Sequence, residues 1–376
     1  MTMVQPILAL AQNIFFIFAG LAGVGFLIGF HELGHFVFCK LFNIHTPSFS
    51  IGFGPRIFTK KIGDTVFALS AIPLGGYVEI AGAAEVGQGE QKEAHRHDER
   101  SFAKKPYYQK MLVMSGGILF NMIFAYITLI VLFATGVPKT LLLYPKNATT
   151  TIKAIIPDGA AQKAQLQPGD VILAVNNKPI NNNPLELLQE LEPRADKPTT
   201  IQIQRDNQTL SVDITPGSRD IGNKVIGTLG VEFDLIDLPA RPLGQAISEG
   251  IDTTNQLIRN TFSAFKSMFT RKSMNGVGGP LMVIQQTIQG AQKGFKIFML
   301  LLAFISVNLA VLNVLPIPIM DGGQALFYTI EALIRRPLNE NVRLYIHYAC
   351  WLGIVVLAIY LTIHDIGAIF GHLWRK

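Results

Sequence analysis

Apolar residues dominate four stretches of the chain, at about 8–40, 111–137, 295–315 and 344–363. Each supplies the roughly 20 residues that a bilayer span needs. The first is longer than a bilayer requires, so it must tilt or project. It is also too long for a signal peptide, and it lacks a basic flank and a small-residue cleavage site. The polar residues fall mainly into two blocks, at about 40–110 and 138–290.

The first polar block opens on SFSIGFGPRIFTKKIGDTVFALSAIPLGGYVEI at 48–80. Gly63-Asp64 reads as the turn of a hairpin between Arg56–Ile62 and Thr65–Ser70. Pro73-Leu74-Gly75-Gly76 reads as its end, and 85–105 as an exposed charged loop. The second block changes pattern. TIKAII reads as a strand and GAAQKA as a short helix. LQPGDVILAV reads as a turn and strand, and PLELLQEL as a helix. TIQIQRDNQTLSVDI reads as a hairpin about Asp206-Asn207. This order, with Pro168-Gly169-Asp170 as a turn, resembles one PDZ domain of the circularly permuted bacterial type; any small α/β domain is the alternative. Helical spacing with polar interruptions over 243–272 predicts an amphipathic helix lying at the membrane interface. Asn275 to Pro280 reads as a breaker before the next apolar segment.

The expected fold is therefore an α-helical integral membrane protein with four transmembrane helices. It carries a membrane-associated β-hairpin on the cytoplasmic side and one inserted α/β PDZ domain. The expected divisions are an N-terminal membrane half at 1–137, the PDZ domain at 138–240, a linker helix at 241–290 and a C-terminal membrane half at 291–376.

Composition agrees. Of 376 residues, 49% are hydrophobic and 15% charged, and the mean hydropathy is +0.34. Soluble domains carry about 25% charged residues. The net charge is +6, and a run of basic residues lies between the first two spans, from Lys40 through Lys60, Lys61 and Arg100 to Lys110, whereas residues 1–30 hold no Lys or Arg. That placement favours an anionic membrane surface over nucleic acid, which is not an expected partner. By the positive-inside rule the basic loop is cytoplasmic, and the PDZ block and both termini lie outside. Trp374-Arg375-Lys376 mildly opposes this. Cys39 and Cys350 imply no disulfide framework.

The first span contains GFLIGFHELGHFVF at 25–38. Ionisable groups at membrane depth are costly, by ~3 kcal/mol each on insertion scales, and are usually functional. His-Glu-x-x-His on a helix sets two imidazoles one turn apart on one face, so His31 and His35 can reach one ion. Glu32 lies close enough to take a proton from water at that ion without ligating it. A snorkelling histidine is the bland alternative for one residue, but not for three at ligand spacing. A catalytic zinc takes a third protein ligand. The acidic candidate is Asp321 in NLAVLNVLPIPIMDGG, where Pro316 and Pro318 break the third span. A surface helix cap is its alternative reading. His95, His97, His45, His347 and His364 lack a partner at ligand spacing or lie on the wrong side.

HELGH at 31–35, PLGGYV at 73–78, VGGPLMV at 277–283 and NVLPIPIMDGG at 313–323 together resemble the site-2 protease family of intramembrane zinc metalloproteases, RseP type with a single PDZ domain. The likeness spans nearly the whole chain. It implies zinc held by His31, His35 and Asp321, with Glu32 as general base. It implies peptide hydrolysis in single-span membrane proteins, such as trimmed anti-sigma factors or remnant signal peptides. It points to Asn308 and Asn313 as substrate-binding residues, although both could instead satisfy carbonyls freed by the proline pair. It also points to Thr65, Val66, Phe67, Ala68, Leu69 and Ser70 as an edge strand that pairs with substrate. The bacterial inner membrane is the implied location, with the PDZ block and both termini periplasmic. That block would bind peptide termini around Gly227–Gly230, or exclude bulky substrates.

Three features depart from the family pattern: one PDZ copy where two are frequent, Gly116-Gly117-x-x-x-Asn121 in the second span, and Met320 before Asp321. Two other readings compete. A membrane scaffold with a structural metal would have no need of Glu32, and a transporter of the commonest build would show an internal repeat.

Overall fold

The computed structural model describes residues 4–83, 93, 96–182, 184–221, 224–271 and 279–373. Two compact units emerge. The first takes the chain up to Leu132, Gln245–Lys266 and the C-terminal helices; the second is mainly Phe133–Gly244.

In the first unit, helices α1 (Val4–Leu41), α2 (Tyr107–Thr135), α7 (Phe295–Val314) and α9 (Glu340–Leu373) correspond to the four apolar stretches. All four are long and apolar enough to cross a membrane. The fourth outruns its expected end at 363, so His364 and Asp365 lie inside a helix. Asp365 is buried there because its oxygens accept from Gly279 N at 3.0 Å and Met282 N at 3.1 Å. It thereby caps α6 (Pro280–Gln292), a helix the apolar count did not single out. The Asn275–Gly278 part of the expected breaker lies outside the described residues. Small residues set the helix crossings: a Cβ on Gly20 would come within 2.9 Å of Ile288 Cγ1. Close backbone approach of this kind is what packs helices in lipid.

The hairpin is larger than expected, with β1 at Ser48–Ile62 and β2 at Thr65–Val78. Pro73-Leu74-Gly75-Gly76 does not end it. A proline fits a strand whose N–H side is unpaired, and a Cβ on Gly75 would overlap the Phe53 ring. The register shows that Thr65–Ser70 is not an edge, which corrects the sequence expectation. Ala68 faces Thr59 on one side and Ser50 on the other, and Ser50 faces Tyr77 beyond. β1 folds back across β2 because its glycines allow it: Gly52 and Gly54 have φ of +89° and +83°. Arg56–Ile62 and Gly76–Val78 therefore form the outer edges among the described residues. The hairpin tip is tied down by Asp64, which meets Lys40 Nζ at 3.1 Å, His45 Nδ1 at 3.1 Å and Arg100. The Arg100 guanidinium and Lys40 hold the Asp64 carboxyl well below the usual carboxylate range.

Residues 85–92, 94 and 95 of the expected charged loop at 85–105 lie outside the described residues. Within its described part His97–Glu99, Ala103 and Lys104 are exposed as expected, whereas Ser101 and Phe102 are buried at a short 3-10 turn. Helix α5 (Leu243–Arg271) is amphipathic as expected. Rather than only lying on a surface, it packs on α2, with Gly250 against Ile130 and Asn255 Oδ1 accepting from Tyr126 at 2.6 Å. Leu243, Ile247 and Ile251 stay exposed as an apolar stripe.

The second unit is a sheet in the order β10-β3-β4-β6-β7, with β5 on β4. Its strands are β3 (Ala148–Ile155), β4 (Val171–Val175), β5 (Lys178–Pro179), β6 (Thr199–Arg205), β7 (Gln208–Ile214) and β10 (Val231–Leu235). Helices α3 (Ala160–Lys163) and α4 (Pro184–Leu191) fall where the sequence put them. The turn at Asp206-Asn207 has both φ positive, as a tight hairpin needs. A separate hairpin, β8 (Gly217–Ile221) with β9 (Lys224–Thr228), was not expected. The core gathers Ile152, Ile172, Leu187, Leu191, Ile201 and Ile203.

Candidate active site

The site lies in the first unit and starts from a glycine crossing. A Cβ on Gly116 of α2 would come within 2.6 Å of Gly34 O of α1, and one on Gly117 would overlap the His31 ring. The missing side chains let α2 run directly over the HELGH turn.

His31 and His35 project from the same face of α1 one turn apart. Their Nε2 atoms are 3.2 Å from each other. The third group arrives from far along the chain. Pro316 and Pro318 follow the end of α7, and α8 (Asp321–Ile334) begins at the aspartate itself. Asp321 is not a side-chain cap of that helix. Gly322 and Gly323 are needed here because the broken segment folds back onto them: a Cβ on Gly322 would lie 2.7 Å from Leu315 O, and one on Gly323 2.6 Å from Pro318 Cα. Asp321 Oδ2 then stands 3.2 Å from His31 Nε2, and Oδ1 3.5 Å from His35 Nε2. The three ligand atoms all lie within 4.8 Å of one another.

These residues fit zinc. Two ligand atoms bound at 2.0–2.1 Å to a tetrahedral zinc stand about 3.4 Å apart, close to the separations here. Asp321 Oδ2 is buried with no hydrogen-bond partner, which a cation would supply. His35 Nδ1 is 2.8 Å from Val113 O. A carbonyl only accepts, so Nδ1 carries the ring proton and Nε2 offers its lone pair to the centre.

Glu32 is buried beside the trio, and its Oε2 accepts from Val78 N at 3.2 Å. The outer strand segment of the hairpin thus fixes the carboxylate. On the far side, Gln324 Nε2 donates to Pro318 O at 3.1 Å and meets His347 Nε2 at 2.5 Å. This pins the broken segment just ahead of Asp321. His347 is thereby a buried scaffold residue, while His45 pairs with Asp64, and His97 is exposed.

Sequence reasoning singled out His31, Glu32, His35 and Asp321, and the structure brings them together. The other candidates lie elsewhere. Thr65 Oγ1 donates to Thr46 O at 2.7 Å, Ser70 Oγ meets Ser50 Oγ at 3.0 Å, and Phe67 stacks edge-on against Phe36. Val66 N is bonded to Pro47 O, and Leu69 is exposed. Asn308 Oδ1 accepts from Thr261 of α5 at 2.8 Å. Two residues earlier on α7, Ser306 Oγ turns the other way and donates to Asn121 O at 2.9 Å. Asn313 is partly buried in the last turn of α7. In the second unit a Cβ on Gly227 would overlap Leu191 O, and Gly230, with φ +73°, abuts Gly159. The sequence reading named Asn121 only as part of the second-span pattern and gave it no place at the site. Its amide lies 3.1 Å from His31 Nδ1, and the available signal was a polar residue in an otherwise apolar span.

A helical membrane protein that brings two buried histidines, a buried glutamate and a half-buried aspartate into this arrangement has the site of a metal-dependent hydrolase. The model of peptidase family M50 matches residues 19–366. The chain belongs to that family, the site-2 proteases, and is a zinc metalloendopeptidase with zinc as its cofactor. A Clostridium perfringens protein named "Putative zinc metalloprotease" is 30% identical over 342 residues, covering 90% of this chain and 95% of that one. The regulator of sigma-W protease RasP of Bacillus subtilis is 25% identical over 420 residues, covering 92% of this chain and 97% of its own. The solved PDZ domain of an SdrC-like protein from Listeria monocytogenes covers 24% of this chain and 90% of itself, at 14% identity and a TM-score of 0.20. At that score it carries no argument about the second unit.

Proposed function

We propose that this protein hydrolyses peptide bonds within the membrane-spanning segments of single-span proteins, with Glu32 as the general base and His31, His35 and Asp321 as the zinc ligands. The observation that carries the reading is the convergence of three candidate ligand atoms, from α1 and α8, next to the buried carboxylate of Glu32, which lies outside that group. When bound, zinc supplies Lewis-acid polarisation of a carbonyl and lowers the pKa of water. Glu32, oriented by Val78 N, takes the proton from the attacking water and passes it to the leaving amine.

A substrate helix hides its carbonyls in its own hydrogen bonds, and lipid strengthens that protection. Unwinding therefore needs replacement partners. Strand pairing, which the sequence placed on Thr65–Ser70, fits the outer segment Gly76–Val78 better. That segment has β1 on one side only among the described residues and touches Glu32. Asn313 offers a second set of amide bonds, and Asn308 joins it once its bond to Thr261 opens. In this reading the hairpin lies on the cytoplasmic side of the bacterial inner membrane. The second unit is a PDZ domain on the periplasmic side, with both termini. The outer edge of β10, unpaired among the described residues, gives a peptide terminus a strand partner. Trimmed anti-sigma factors and remnant signal peptides are substrates of the right form.

The test is cleavage of a single-span peptide in detergent micelles by the zinc-loaded wild type and by Glu32→Gln. The variant keeps its zinc and loses cleavage. Normal cleavage by Glu32→Gln removes the carboxylate from the mechanism.

A further inference from the structure

The two histidines are served by the same neighbouring helix, but not in the same way. His35 Nδ1 faces a backbone carbonyl, Val113 O, which fixes its proton on Nδ1. His31 Nδ1 instead faces a side-chain amide, that of Asn121, at 3.1 Å. Asn121 is fully buried, and its Oδ1 has no hydrogen-bond partner. The contact to His31 is drawn through Nδ2. In that orientation the amide donates to Nδ1, so the ring proton must sit on Nε2. There it faces His35 Nε2 and Asp321 Oδ2, each 3.2 Å away, and His31 has no lone pair for a cation. Amide oxygen and nitrogen are nearly the same in shape, and their assignment follows the bonding network. Reversing the Asn121 amide gives the stranded buried oxygen a donor and moves the His31 proton to Nδ1. Both Nε2 lone pairs then face Asp321.

We infer that Asn121 is a positioning residue that accepts a hydrogen bond from His31 Nδ1–H and so holds His31 in its zinc-binding tautomer. Outer partners of this kind typically change metal affinity 10–100-fold when removed. Ser306 of α7 steadies the device, because its hydroxyl holds the backbone carbonyl of Asn121 at 2.9 Å. The helix that leads into the Asp321 segment thereby also holds the group that sets His31. The inference rests on the proposed zinc ligation by His31.

The test is chelator competition for zinc with purified full-length protein in detergent, comparing wild type, Asn121→Leu and Asn121→Asp. Leucine has similar bulk and no acceptor, and zinc affinity falls 10–100-fold. Aspartate can only accept, and it restores affinity to within a few-fold of wild type. Were the amide a donor to His31, aspartate would fail as leucine does, and that result overturns the inference. Should either variant not fold, imidazole ¹⁵N signals of metal-free wild type decide: a protonated Nδ1 on His31 supports the inference, and a bare one overturns it. A wild type that binds no zinc fails the ligand assignment itself. A wild type that binds zinc while Asn121→Leu matches it fails the role of Asn121 alone.

Discussion

Gly34 of α1 and Gly116 of α2 meet backbone to backbone, so close that a Cβ on Gly116 would stand 2.6 Å from Gly34 O. This contact places α2 against the HELGH turn, and it makes the neighbouring Gly117 the floor beneath the His31 ring. Gly117→Ala is expected to displace that ring. Overpacking a tight contact costs roughly 1–3 kcal/mol. The expected outcome is a lower thermal midpoint and at least tenfold weaker zinc retention, read by unfolding in detergent and by metal content after chelator challenge. Unchanged zinc retention would show that the ring has room to move.

The second unit offers a pH-dependent prediction. Asp170 is buried and takes two bonds from Arg205, at 2.7 Å each, and one from Gln167 N at 2.8 Å. Burial pushes its carboxyl up, but Arg205 and the Gln167 amide outweigh burial and hold it below the ordinary carboxylate range. A depressed folded pKa stabilises the fold above the unfolded value of about 3.9. That stability fades as the pH falls from there through the lower folded value. Asp170→Asn is expected to cost roughly 1.5–3 kcal/mol at pH 7, the range for hydrogen bonds to a charged group. The difference from wild type shrinks below about pH 4. Denaturant titration followed by exchange of the β4 and β6 amides, at pH 7 and at low pH, measures both.

Substrate capture tests the reassigned hairpin edge. Ile72 and Phe58 are both exposed on β2 and β1, but Ile72 lies on the strand that runs into Gly76–Val78, whereas Phe58 lies on the opposite outer edge. A photo-crosslinking side chain at Ile72 in the Glu32→Gln background is expected to trap a single-span substrate. The same group at Phe58 is expected to trap far less. Equal trapping would place the pairing surface elsewhere.

Much of this was visible in the chain because the signals were local. Apolar runs marked α1, α2, α7 and α9, and the spacing of His31, Glu32 and His35 marked one helix face. Pro316, Pro318 and Asp321 marked the break that brings Asp321 back to His31 and His35. What escaped depends on contacts between segments distant in sequence. Thr65–Ser70 reads as an edge until β1 curls over it at Gly52 and Gly54, and no local pattern reveals that curl. Asp365 looks like the end of a span until α6 offers it two N–H groups. Asn121 reads as a lone polar residue, because only the glycine crossing brings it to His31.

Zinc stoichiometry tests the central claim most directly. Purified wild-type protein and Asp321→Asn, each dialysed against a chelator and measured by elemental analysis, should differ. The account predicts one zinc per chain in the wild type and substantial loss from Asp321→Asn, since the aspartate supplies one of three ligands. Wild type without divalent metal, or full occupancy in Asp321→Asn after the same challenge, would contradict it.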